Sequence, residues 1–481
     1  MIIIVTTIAY FAVLFVLSRF AAARKDTNDA FYRGGRTSPW LVVAFGMIGA
    51  SVSGVTFVSV PGMVTTIGMT YIQTCIGFIV GYFVVAFILL PLYYKLDLIS
   101  IYEYLGRRFG TNAHLTGSWV FLATKTALAT VRFYVVCVVL QRYVFDVAGV
   151  PFPVTVVSMI ALIWLYTRRG GIRTIVWTDA FQTLCLLVAA ALITVIVASR
   201  LGMDMPSAVR AIADSGMSRV FVFDDYVSTQ NFWKQFVSGM FIVVVMTGLD
   251  QDMMQKNLSC RSLRAAQKNV CSYGFAFVPV NMLLLSLGIL LVFLARQEGT
   301  PLPTSPDELL PMYAATGHLG VTVTILFTIG VVAASFTSAD SALTALTTIY
   351  CVDIRRRPGD VPLRRKTHLL ICILFVALII VFHAVNRTSV IDAIYTICSY
   401  TYGPLLGLFA FGMTTRRRAD DRAIPFIAVA SPVMCFVIDM VMRCAAGYKF
   451  GYELLILNGA LTFAALYLSS LHTTGAARRS R

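Results

Sequence analysis

The chain has 481 residues, 58% of them hydrophobic and 13% charged, with a formal net charge of +16. A soluble domain carries roughly 25% charged residues, whereas apolar runs of about 18 residues, long enough to span a bilayer, recur here from end to end. The composition excludes an ordinary soluble domain and predicts an all-α, polytopic membrane protein in which one helical bundle takes the whole chain.

Taken in order, thirteen spans are predicted: 2–19, 39–64, 70–94, 115–141, 152–167, 175–198, 235–255, 269–295, 320–351, 368–385, 389–414, 423–442 and 451–471. Residues 1–20 lack the basic opening of a cleavable signal peptide, and positive charge follows the apolar run at Arg19, Arg24 and Lys25, so an uncleaved first helix with its N-terminus outside is expected. With that orientation 28 of the 39 Lys and Arg fall in inner loops, and residues 256–268 are counted among those loops. The long outer loops, 200–232 and 297–310, hold seven of the sixteen loop carboxylates. This is the positive-inside pattern, so the basic charge reports topology and argues against nucleic-acid binding. The C-terminus is then cytoplasmic and the expected location is a plasma membrane, the inner one in a bacterium. The ten cysteines lie almost entirely in spans and inner loops, which argues for packing roles rather than a disulfide framework.

Two spans carry helix-breaking signals. The second, FGMIGASVSGVTFVSVPGMV, holds Gly46, Gly49, Gly54, Pro61 and Gly62; the seventh, GMFIVVVMTGLDQDMM, has a milder interruption at Thr247-Gly248. Unpaired backbone at membrane depth survives only where it is buried in protein or lines a cavity; the competing reading is that small residues simply let helices pack closely. From each of these spans five helices run on, over 39–198 and 235–414, which points to two inverted halves around a midplane site. Residues 1–38 and 415–481 flank the halves, and LISIYEYLGRRFG (98–110) reads as a short amphipathic helix at the inner surface.

The ninth span contains ASFTSADSAL. On a helix, Ala334, Thr337, Ser338 and Ser341 share one face, flanked by Asp340, and a stripe of hydroxyl and carboxylate oxygens suits a hard cation. Each hydroxyl alone is equally consistent with bonding to its own helix. Asp340 is not, because a carboxylate at the membrane centre costs about 2.5–3.5 kcal/mol on insertion scales.

Here the chain resembles the sodium:solute symporter family. FTSADSALTALTTIYCVDI is similar to that family's sodium-site helix, GGIRTIVWTDAFQ (170–182) to its fifth core helix, YGPLLGLFAFG (402–412) to its tenth, and SVSGVTFVSVPG (51–62) to its unwound first core helix. The resemblance implies a LeuT-like 5+5 inverted repeat with broken first and sixth core helices. It also implies sodium-coupled symport by alternating access, with no organic cofactor. One sodium site would use the carbonyls of Gly49, Val52 and Ala334 with the hydroxyls of Thr337 and Ser338. A second sodium site, present in some members, would use Asp179, Thr337, Asp340 and Ser341, with Asp340 departing from the serine expected there. The alternative for Asp179 is a solvated place near the inner interface.

For the solute, Ser53, Thr56 and Phe57 beside the break and Gln73 on the next helix are the candidate contacts. The fourth span carries Lys125 and Arg132 on one face. Lys125 can snorkel to the inner surface. Arg132 cannot, and needs either Asp179 or Asp340, or a carboxylate on the solute. Met246 stands where sugar-carrying members place a gating tyrosine. A carboxylated solute, an acidic sugar or small organic acid, is therefore the expectation; a neutral sugar, an amino acid or an inorganic anion is the alternative. A membrane enzyme lacks support, since the five histidines are scattered and no GxSxG or P-loop occurs. A cation channel is the closer rival, and a monomeric transporter with solute, sodium and lipid as its partners is the preferred form.

Overall fold

The helices follow the apolar runs and stop where proline, glycine or a capping side chain stops them. Pro39 precedes the second span, Asn231 and Ser262 accept backbone N–H bonds at the helix starts that follow them, and Gly299 closes a helix in the left-handed conformation. The computed structural model describes residues 2–21, 27–146, 149–226, 228–385, 390–448 and 450–479.

The principal helices are α1 (Ile2–Ala21), α2 (Trp40–Ser51), α3 (Gly54–Ile67), α4 (Tyr71–Lys95), α5 (Thr111–Leu140), α6 (Phe152–Gly170), α7 (Ile172–Arg200) and α8 (Phe232–Gly248). There follow α9 (Gln251–Leu258), α10 (Leu263–Glu298), α11 (Val321–Ile354), α12 (Val361–Val385), α13 (Val390–Thr401), α14 (Gly403–Thr414), α15 (Ile424–Ala446) and α16 (Leu454–Arg479). Among the described residues no strand forms; Ser38 and Cys260 make one isolated bridge.

Among the described residues eight helices are long and apolar enough to cross a membrane, or up to ten if each bent pair is one span. The bent pairs are the two expected from sequence: α2 with α3, turned by 58°, and α8 with α9, turned by 66°. At the other three expected spans lie α1, α6 and the pair α13 and α14, which are not among those ten. On the division expected from sequence, one half would run α2/α3 to α7 and the other α8/α9 to α14; each of these opens on a broken helix. The residues before α2 meet the end of α9, the Ser38 amide donating to the Ser259 carbonyl at 3.1 Å. The amphipathic segment shortens to a helix at Glu103–Arg108 that buries Tyr104 and Leu105. From it Arg108 donates to the carbonyls of Gly412, Thr415 and Arg417, tying the segment to the end of α14.

α7 packs against both α2 and α11. It reaches α2 because Gly46 and Gly49 have no side chains: a Cβ on Gly46 would lie 2.9 Å from the Asp179 Cβ and 3.3 Å from the Ala180 amide, and one on Gly49 would overlap the Thr183 hydroxyl. The glycines that mark the break in the sequence thus also set how near α2 comes to the carboxylate of α7. Gly46→Ala is expected to push the two helices apart at a cost of about 1–3 kcal/mol. Its thermal unfolding in detergent should fall clearly below that of the parent, and an unchanged midpoint would show that this approach has slack.

Candidate functional site

The break between α2 and α3 falls at Val52 and Ser53, where Val52 adopts φ −80° and ψ 69°. The last carbonyls of a helix have no amide four residues on, so those of α2 must find other partners. Here they meet α11. The Thr337 hydroxyl lies 3.3 Å from the Gly49 carbonyl and 2.9 Å from the Ala334 carbonyl, and the Ser338 hydroxyl lies 3.5 Å from the Ala50 carbonyl. Gly49, Ala334, Thr337 and Ser338 are thus brought together as expected, with Ala50 added. Val52 is fully buried at the turn itself. Ser341 and Thr348 bond carbonyls four residues back on their own helix, the ordinary role for an intramembrane hydroxyl.

The carboxylates behind this cluster are held otherwise. Asp340 accepts from the Tyr166 hydroxyl at 2.8 Å and from Ser341 at 3.2 Å. Asp179 makes an ion pair with Lys256, Nζ to Oδ2 2.7 Å, and both side chains are 1% exposed. The contact is charge on charge, without an aligned hydrogen bond. Neither carboxylate pairs with Arg132, and Asp179 is not solvated at an inner interface. Lys256 was counted with an inner loop, whereas it lies on α9, every residue of which is buried.

α9 owes its place to the second break. Asp250 caps it, accepting from the amides of Asp252 and Met253, while the freed carbonyls of Gly248 and Leu249 accept from the hydroxyls of Tyr93 and Tyr102 at 2.9 and 2.8 Å. Lys125 bonds both Asp250 (3.0 Å) and Asp252 (2.7 Å) and is 8% exposed, and Tyr402 donates to Asp250 as well. Lys125 therefore does not snorkel; it pins the broken helix of the second half to α5. Two carboxylates against one ammonium make a buried cluster that desolvation would not permit unpaired.

Between the breaks lies a cavity of about 110 Å³. Ser53, Thr56, Arg132 and Met246 line it, with Ala50 and Ser338 of the oxygen cluster at its edge. On one wall Tyr82 donates to Tyr273, whose hydroxyl meets that of Ser51. Among the described residues no carboxylate pairs with Arg132, and its buried Nε has no hydrogen-bond partner. Two expected solute contacts lie elsewhere. Phe57 is buried against Phe327, ring centroids 6.1 Å apart. Gln73 is spent on the loop before α8, donating to the Gln230 carbonyl and accepting from the Val222 amide, each at 3.0 Å. Asp250, Asp252 and Lys256 were missed, although Asp252 and Lys256 stand four apart, hence on one helix face, directly after the break. Lys125→Met should strand two buried carboxylates at a cost of about 3–5 kcal/mol. A lowered unfolding midpoint, partly restored by adding Asp252→Asn, is the expected result of thermal denaturation.

The sequence pattern of the sodium:solute symporter family matches residues 31–425. The sodium/sialic acid symporter NanT of Aliivibrio fischeri is 25% identical over 86% of this chain and 83% of its own length. SiaT of Proteus mirabilis, also a sodium/sialic acid symporter, is 23% identical over 88% and 86%. Among solved structures, a substrate-bound, outward-open Na+-coupled sialic acid symporter superposes with a TM-score of 0.83 at 19% identity over 98% of both chains. A nucleobase-cation-symport-1 family transporter in a closed conformation gives 0.62 at 12% identity over 95% of this chain and 96% of that one. The fold is the LeuT-like inverted repeat, and the chain belongs to the sodium:solute symporter family.

Proposed function

We propose that this protein is a sodium-coupled symporter that carries a carboxylated solute, of the acidic-sugar class, into the cell by alternating access. The observation that carries the solute class is Arg132, a guanidinium facing the cavity that pairs with no carboxylate among the described residues, since Asp250 and Asp252 of the same lining are held by Lys125. A cation left so at membrane depth is costly, and a solute carboxylate would satisfy it with paired, charge-assisted hydrogen bonds. The likeness to two sodium/sialic acid symporters supports the same class.

Coupling follows from a shared wall. Ser338 and Ala50 belong both to the oxygen cluster and to the cavity lining. Sodium bound by Gly49, Val52, Ala334, Thr337 and Ser338 would hold the unwound turn of α2/α3 against α11. That turn also presents Ser53 and Thr56 to the solute. Sodium entering down its own gradient draws the solute uphill as the two halves rock about the site, and the membrane potential adds about 2.3 kcal/mol per 100 mV only for net charge moved. The N-terminus lies outside and the C-terminus in the cytoplasm, and the chain works as a monomer in the plasma membrane.

Uptake of labelled acids and sugars into proteoliposomes, with and without a sodium gradient, tests the reading. Sodium-stimulated uptake of an acidic sugar is expected; sodium flux without any solute would favour a channel. Thr337→Ala with Ser338→Ala should abolish sodium stimulation in a folded protein. If that double variant keeps its sodium dependence, the oxygen cluster is not the coupling site. Arg132→Gln should weaken acid uptake on the order of tenfold to a hundredfold, the loss of hydrogen bonds to a charged group. Sodium should still stabilise that variant without solute. Undiminished acid uptake would remove Arg132 from the solute site.

A further inference from the structure

The second sodium site expected from the family resemblance has a resident of its own. Asp179 faces the Lys256 ammonium at 2.7 Å, and both groups are almost wholly shut off from solvent. The same ammonium acts electrostatically on Asp340 and Asp252. From this geometry we infer that the Lys256 ammonium permanently fills the second cation place, so that this transporter binds and moves a single sodium ion per cycle. The inference rests on the proposed sodium-coupled symport and goes beyond it.

The charges behind the oxygen cluster balance on this assignment. Asp179 and Asp340 supply two negative charges, Lys256 one positive charge, and the sodium at Thr337 and Ser338 the other. A second sodium about 4 Å from the ammonium would be held roughly a thousandfold more weakly, at an effective dielectric constant near 20. The lysine is also positioned from both sides. Asp252, four residues earlier on α9, is fixed by Lys125, which sets the rotation of α9 and carries Lys256 to the opposite partner on α7. Gly46, by letting α2 pass beside Asp179, closes the pair against α2.

A tethered cation can neutralise Asp179 without crossing the membrane. It therefore adds nothing to the charge moved, and the solute gradient is set by one sodium gradient rather than two. With a solute of one negative charge the cycle is electroneutral, whereas a second sodium would make it respond to voltage.

Equilibrium binding of radioactive sodium to the purified full-length chain in detergent, without solute, counts the sites directly. The unaltered protein is expected to saturate at one sodium per chain. Lys256→Met, which frees Asp179, should saturate at two, and Lys256→Met combined with Asp179→Asn should return to one. Two sodium ions on the unaltered protein would overturn the assignment, as would a folded Lys256→Met protein that still binds one. Should Lys256→Met fail to fold, the count on the unaltered protein decides alone. A chain that binds no sodium at all would instead bring down the sodium-coupled reading, and this inference with it. As a second readout, an inside-negative potential in proteoliposomes should leave uptake of a monovalent acid by the unaltered protein unchanged and accelerate it in Lys256→Met. Voltage-accelerated uptake by the unaltered protein would count against the assignment.

Discussion

Backbone that leaves a helix inside a membrane must be satisfied by protein, since lipid offers no hydrogen bonds. The rest of this structure depends on how two such places are satisfied. At the first break the freed carbonyls of α2 turn to hydroxyls on α11. At the second, the carbonyls of Gly248 and Leu249 turn to tyrosines from α4 and from the segment after it, while the freed amides of α9 take the Asp250 carboxylate.

The two breaks differ in kind. The first break is uncharged, built from Gly, Ala, Ser and Val, and offers only oxygen dipoles. The second carries Asp250, Asp252 and Lys256 within seven residues, and each is answered by a charge from the first half: Lys125 on α5 for the two aspartates, Asp179 on α7 for the lysine. Removing one member of such a pair costs more than the pair itself contributes, so the two halves are bound to each other through groups that cannot be exchanged singly. The inverted repeat is a symmetry of backbone, and its chemistry is complementary rather than repeated.

Which two spans break was legible in the sequence, because Gly and Pro weaken a helix locally; the exact place was not, since the first break falls at Val52 and Ser53 while Pro61 and Gly62 stay inside α3. The oxygen stripe on α11 was legible for the same reason, a helical period that needs no tertiary information. What the local pattern could not supply was partnership. Lys125 was read as reaching for the surface, since nothing in its own span shows Asp250 and Asp252 arriving from the far half of the chain. Lys256 was assigned to a loop because hydropathy ends a span where charge begins. A broken helix defeats that rule: α9 is polar and short, yet buried throughout, because α8 and the turn at Asp250 deliver it into the bundle. Gln73 and Phe57 were misjudged for cavity duty on the opposite ground, as their proximity to the break in sequence does not fix which way a helix turns its face. The sequence could not show that one faces the loop before α8 and the other α11.

Once the second break is closed by paired charges, the electrostatics of the cavity simplify. Four carboxylates and two lysines near the midplane are committed to one another or to hydroxyls. Arg132 faces the cavity uncommitted, a few residues along α5 from the lysine that locks the second half in place. On the proposed reading, a solute anion on Arg132 would meet a wall whose described carboxylates are already held by lysines or hydroxyls, and it need not compete with them for the guanidinium. Selectivity for a carboxylate can rest on that one side chain because the ion pairs around it remove every rival within the chain's described residues.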